Sequence, residues 1–443
     1  MHEDLRLAVD ELFPSLQQRL EDLVRIPSVS APGYDATEVS RSAEATKALL
    51  EASGMDNVRL LELDGTHPAV YGELAGPPGS PTVLLYAHHD VQPPGPMEEW
   101  TSPPFEPAER DGRLYGRGTS DDKCGIVIHL GAIEAFRGSL PVGVKVFVEG
   151  EEEIGSTHLE DFITAYHELL ESDVIVIADS ANLETGTPSL TTSLRGLVDC
   201  VVEIRTLKHA VHSGLAGGVV PDALMALSRL LATLHDDNGS VAVPGLLRGD
   251  AESLKDQNWW RESVGIADGV DFIGSGSLES RMWVQPSISV LAVDAPPVAE
   301  AINQLVPTAR AKVSLRLAPG QDPGEATEAL VEHLNKNAPW GAQVQVTRGA
   351  SAEAFELDST GRAYDAFRAG FAEAWGRESI DVGIGGSIPF VSAFSAQYPA
   401  AAILLMGVAD HNSHLHAPDE SVDLIELRRG VLAVAIALQL LSA

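Results

Sequence analysis

Two cysteines in 443 residues, Cys124 and Cys200, are too few for a disulfide framework or a thiolate metal cluster. Basic residues are also scarce: 30 Lys and Arg stand against 64 Asp and Glu, a formal charge of −34. Phosphate backbones and anionic membrane surfaces are both held through Lys and Arg, so this balance argues against nucleic acid and against a membrane as partners. Its plain meaning is solubility through self-repulsion. No apolar run is long enough to span a bilayer, and the most apolar stretch, residues 431–441, reads as a buried terminal helix. The first residues, Met1-His2-Glu3-Asp4, lack the basic-then-apolar layout of a signal peptide. The expectation is a soluble cytoplasmic protein. No G-x-G-x-x-G follows the first strand and no G-x-S-x-G is present, so neither a dinucleotide-binding oxidoreductase nor a serine hydrolase finds support.

What is present is a chain with 44% hydrophobic residues, enough for a sizeable core. At roughly 100–200 residues per domain, its length suggests two or three domains. Apolar runs of strand length at 58–63, 69–74, 83–86, 144–148 and 174–178 alternate with helical stretches at 3–24, 38–53, 124–137 and 157–170. Pro14 is expected to break or kink the first helix. Such alternation predicts an α/β domain with a mostly parallel sheet flanked by helices. After about residue 195 the pattern changes. A strand at 197–204, a helix at 221–235, a long polar stretch at 238–285, strands at 287–293 and 310–317, a helix at 323–336 and a strand at 343–347 suit a smaller α+β domain. Longer helices return at 360–375 and 421–441, around an apolar strand at 401–406. The expected organisation is a discontinuous domain, 1–195 plus 350–443, with residues 196–349 inserted.

Ligands of open α/β sheets bind at the carboxyl ends of the strands, and five segments there carry chemistry. In Tyr86-Ala87-His88-His89-Asp90-Val91-Gln92-Pro93, His88 and Asp90 point to one side of an extended chain. They form either a metal ligand with its orienting carboxylate or a plain hydrogen-bonded pair. In Gly116-Arg117-Gly118-Thr119-Ser120-Asp121-Asp122-Lys123-Cys124-Gly125, a glycine-rich loop feeds a helix. There Asp121 either caps the helix or bridges two cations. Glu149-Gly150-Glu151-Glu152-Glu153 stacks acids after a buried strand, as a solvated loop or as part of a metal site. Asp179 ends an apolar strand, and Asp410-His411-Asn412-Ser413-His414-Leu415-His416-Ala417-Pro418-Asp419-Glu420 holds three histidines. Two His and three or four carboxylates at the strand ends of one sheet form a nitrogen–oxygen donor set. It suits two zinc ions, or manganese or cobalt.

In this order, the five segments resemble those of the two-zinc metallopeptidases that include carnosinases, bacterial dipeptidase V, glutamate carboxypeptidase and aminoacylase. The resemblance spans nearly the whole chain. The strings HHDVQP, GRGTSDDK and GIGGSIP are most similar to the carnosinase-like dipeptidase branch. It implies that His88 and Asp179 serve one metal, Glu153 and His416 the other, and that Asp121 bridges both. Glu152 would be the general base, with Asp90 behind the ligands. The inserted domain would be a lid and dimerisation domain of a homodimer. In it His212 would reach across the dimer to polarise the scissile carbonyl, and Arg316 would grip the substrate's terminal carboxylate. Gly386 and Ser387 resemble a contact to the substrate backbone. The implied activity is hydrolysis of the amide bond of a dipeptide, with an N-acyl amino acid deacylase as the alternative. The choice of His416 over His414 rests on His416-Ala417-Pro418-Asp419-Glu420 matching the family's His-x-x-Asn-Glu, with Asp419 in place of Asn. Cys124 stands where many relatives have glycine, and His89 where Tyr, Leu or Thr is common.

Overall fold

The computed structural model describes residues 2–385 and 389–442. The chain forms two compact units, one of Met1–Thr192, Leu357–Val382 and Pro389–Ala443, the other of Ser193–Glu356 and Gly383–Ile388.

In the first unit the strands lie in the order Asp56–Leu61, Ala69–Leu74, Gly143–Glu149, Thr82–His88, Val174–Ile177, Ala402–Leu405 and then Ser189–Leu194, whose last two residues belong to the second unit. The four from Gly143–Glu149 to Ala402–Leu405 run parallel. The flanking pairs are antiparallel, which makes the sheet mixed. The central strands are apolar throughout because both faces are covered. Val83, Leu85 and Ala87 point into the main core with Val144, Val146 and Val148. Tyr86 points the other way, where its ring meets Phe390 at 4.6 Å and Phe394 at 5.9 Å.

The terminal helix Leu424–Leu441 packs against Arg362–Trp375, Lys123–Glu134 and Glu3–Val24. A Cβ on Gly131 would sit 2.6 Å from Leu16 and 2.8 Å from Val431, so any larger residue there would displace these buried side chains. Each Leu or Val that such packing buries contributes about 1.5–3 kcal/mol. Pro14 does not break its helix: Glu3–Val24 is continuous through it. Both Pro14 and Asp10, whose carbonyl loses its partner, are exposed, so water can take the freed group. The last helical stretch starts later than its apolar pattern suggests, because Ser421–Asp423 forms a short strand and the Asp423 carboxylate caps the amides of Ile425 and Glu426. Parallel central strands bring their carboxyl ends to one edge, and there His88 and Glu149 are register partners.

The second unit holds an antiparallel sheet in the order Ser287–Asp294, Thr308–Leu317, Gly196–Arg205, Gln343–Ala352. Helices Ala223–Ala232 and Pro323–Lys336 cover one face through Leu227, Leu230, Leu330 and Leu334, against Val198, Cys200, Val202 and Ile204. The polar stretch after residue 238 includes one short helix, Gln257–Ser263, and a turn of π-helix, Ser280–Val284. No described helix is long and apolar enough to cross a membrane.

Candidate metal centre

His88 ends its strand fully buried. Its Nδ1 lies 3.0 Å from the Asp90 carbonyl oxygen. Its Nε2 lies 3.1 Å from Asp121 Oδ1, 3.8 Å from Asp179 Oδ2 and 4.0 Å from Glu152 Oε2. The second Asp121 oxygen, Oδ2, lies 2.9 Å from His416 Nε2, and that nitrogen is 3.5 Å from Glu153 Oε2. One carboxylate therefore stands between two imidazoles, one oxygen to each. Donor atoms of His88, Asp121 and Glu153 all lie within 4.8 Å of one another, as do those of His88, Glu152 and Asp179.

Local structure explains how each side chain arrives. Asp121 precedes the helix Lys123–Glu134, whose N-cap is Asp122. The Asp122 carboxylate accepts from the amides of Gly125 and His88, and the Asp121–Asp122 peptide is cis. Glu152 and Glu153 open a single 3-10 turn. Asp90, fully buried, holds that turn: Oδ1 accepts the Glu152 amide at 3.2 Å, and Oδ2 accepts the Glu153 amide at 3.0 Å and the Ser30 hydroxyl at 2.7 Å. Asp90 Oδ1 is also 3.4 Å from His88 Nδ1, so one carboxylate orients a histidine and the turn that carries two glutamates. The His416 loop is strained. His414, His416 and Asp419 have φ of 52°, 60° and 59°, the left-handed region that non-glycine residues seldom adopt. Arg113, bonded to both oxygens of Asp410, and the amide and hydroxyl of Thr101, bonded to Asp419, hold it there.

The electrostatics calls for cations. Burial pushes Glu152 and Glu153 well above the usual carboxylate range and Asp179 to about 6; His88 offsets part of this and neighbouring acids add to it. Burial opposes the charge on His88, yet its bonds to Asp121 and Asp90 raise it well above its ordinary value. Asp121, buried likewise, is lowered by its bonds to His416 and His88. Four carboxylates and two imidazoles packed this closely fit divalent cations, which would offset the repulsion. The donors are nitrogen and oxygen only.

His212 and Arg316 belong to the second unit. His212 is exposed, on the short strand Val211–His212, with Nδ1 accepting the Gly214 amide at 3.0 Å. Arg316 is half-buried on Thr308–Leu317, and among the described residues its side chain makes no hydrogen bond or ion pair. Burial lowers its pKa. Gly386 and Ser387 lie outside the described residues. His89 is a structural histidine: burial lowers it to about 4, and Nε2 lies 2.9 Å from the Pro68 carbonyl. The buried Cys124 thiol donates to the Ser120 carbonyl at 3.3 Å, and burial with neighbouring acids raises it well above a reactive range. Three residues not assigned a role from the sequence also shape the site. Gln92 bonds Glu153; the buried pair Arg117–Glu420 ties the Asp121 loop to the His416 loop. For Gln92 the signal was available, since positions 88, 90 and 92 share one side of an extended segment.

An imidazole–carboxylate cluster, buried except for His416, at the carboxyl edge of a parallel sheet core defines a metal-dependent hydrolase. The particular family follows from comparison with known proteins: the chain belongs to peptidase family M20/M25/M40, whose pattern matches residues 84–440. It is 35% identical to a cysteinylglycine-S-conjugate dipeptidase of Corynebacterium striatum, across 96% of this chain and 95% of that one. It is 28% identical to a Beta-Ala-His dipeptidase of Rattus norvegicus, across 79% and 75% of the two chains. Human carnosine dipeptidase 1 has the same fold, with a TM-score of 0.82 at 23% identity, covering 100% of this chain and 98% of that one.

Proposed function

We propose that this enzyme hydrolyses the amide bond of dipeptides that carry a free C-terminal carboxylate. The observation that carries the reading is Asp121 placed between His88 and His416, one oxygen to each. In this reading His88 and Asp179 hold one ion, Glu153 and His416 the other, and Asp121 is shared. Zinc suits the donors, and manganese or cobalt would also be accepted. Two such ions, when bound, would lower the pKa of a water toward neutrality and polarise the scissile carbonyl.

The chain's own groups do the rest. Glu152 takes a proton from the attacking water as the new C–O bond forms, then delivers it to the leaving nitrogen as the C–N bond breaks. His212 donates to the carbonyl oxygen as negative charge develops there. Arg316, half-buried and without an ion pair among the described residues, binds the terminal carboxylate, ideally through two parallel hydrogen bonds. Gly386 and Ser387 contact the substrate backbone. The second unit acts as lid and dimerisation domain of a homodimer. The dipeptidase names of the relatives, for Cys-Gly conjugates and β-Ala-His, support dipeptides over N-acyl amino acids as substrates.

The test is a substrate panel given to chelated enzyme before and after Zn²⁺, Mn²⁺ or Co²⁺. The panel holds free dipeptides, among them Cys-Gly and β-Ala-His, a tripeptide, C-amidated dipeptides and N-acetyl amino acids. Metal-restored cleavage confined to free dipeptides is expected. Cleavage of N-acetyl amino acids instead would move the enzyme to the deacylases, and metal-independent cleavage would end the reading.

A further inference from the structure

Among the described residues, the hydrogen bonds to the Glu153 carboxylate come from one residue, Gln92. The Gln92 backbone amide donates to Glu153 Oε1 at 2.9 Å, and the side-chain amide donates to Oε2 at 2.7 Å and to the Glu153 carbonyl at 3.1 Å. Both carboxylate oxygens are thus fixed from one edge, with the Glu153 side chain only 3% exposed. Its Oε2 is left 3.5 Å from His416 Nε2. Asp90 fixes the same residue from the other end through the Glu153 amide.

The chemistry of Gln92 suits this place. Asp90, Asp121, Glu152, Glu153 and Asp179 already crowd the site with acid groups. A lysine or arginine would satisfy Glu153 but compete with a cation for it. A further carboxylate would repel it. A neutral amide donates two hydrogens and adds no charge. No other ligand candidate has a side chain held on both oxygens by one neutral residue among the described residues.

We infer that Gln92 is a positioning residue that sets the affinity of one of the two metal positions, the one shared by Glu153 and His416, by fixing the Glu153 carboxylate. This rests on the two-metal reading above. Residues that orient a ligand typically contribute 10- to 100-fold to metal affinity, so Gln92→Met should weaken one position by about that factor and leave the other unchanged.

The experiment titrates metal-free wild type, Gln92→Met, Glu153→Ala and the double variant with Zn²⁺ against a chromophoric chelator. Wild type should take up two ions. Gln92→Met should keep one at wild-type affinity and weaken the second. In the Glu153→Ala background, Gln92→Met should change nothing further, because its effect runs through the missing carboxylate. Equal weakening of both positions, no weakening, or additive effects in the double variant would overturn the role of Gln92. A wild-type chain that binds fewer than two ions would overturn the two-metal reading itself, and this inference with it.

Discussion

Arg117 Nη1 and Glu420 Oε2 meet at 2.6 Å with side chains 1% and 0% exposed. Glu420 also accepts the amides of Gly118, Ser120 and Asp121, and Arg117 donates to the carbonyls of Pro93 and Ala417. Three chain segments converge on one buried ion pair, and two of them carry Asp121 and His416. Removing one partner of such a pair leaves the other charge buried and costs about 3–5 kcal/mol. Arg117→Leu and Glu420→Leu should each lower the unfolding free energy of the metal-free protein by that amount in urea titrations. A loss under about 1 kcal/mol, typical of exposed pairs, would show that the pair carries little.

Glu152→Gln removes the proposed base and keeps its shape. Turnover of a free dipeptide should fall by about 10²- to 10⁴-fold. Bound metal, measured by elemental analysis, should stay at the wild-type level. A variant that retains full turnover would remove Glu152 from the role of base, and one that loses an ion would make it a ligand instead.

Arg316→Met removes a half-buried charge with no partner among the described residues. A hydrogen bond to a charged group contributes about 1.5–3 kcal/mol, or roughly 10- to 100-fold. Catalytic efficiency toward free dipeptides should fall by that factor, with C-amidated dipeptides unaffected. Equal losses on both would assign Arg316 another task.

Metal binding should weaken on acidification. In the metal-free chain burial raises Asp179 to about 6 and Glu152 and Glu153 well above the usual range. Groups with raised pKa are protonated below that value, and an ion must displace those protons to bind. Affinity therefore declines progressively as pH falls through the raised values of the site's groups, with Asp179 taking up its proton at about 6. Calorimetry in buffers of different ionisation enthalpy should show more protons released per ion at pH 6 than at pH 8. Equal release at both would contradict the raised values.

The central strands were legible because apolar runs such as residues 83–86 can only be buried on both faces. Their neighbours' directions were not, since an apolar pattern does not say whether Ala69–Leu74 runs with or against Gly143–Glu149. The effect of Pro14 depended on whether its lost hydrogen bond faces solvent, which helical periodicity alone did not settle. At the site, chemistry-bearing residues stood out by type at strand ends. The residues that orient them did not. Gln92 meets Glu153 across 61 positions, and Arg117 meets Glu420 across 303. Each is ordinary in its own segment and acquires meaning only through its distant partner.

The six donor side chains differ sharply in their access to water. His416 is 56% exposed, while His88, Asp121, Glu152, Glu153 and Asp179 range from 0% to 19%. Under the proposed assignment, one ion would have a ligand at the rim, while the side chains holding the other are at most 18% exposed. A chelator would meet the rim first, so brief exposure should yield a half-loaded species before the bare protein, and reloading should pass through the same doorway in reverse.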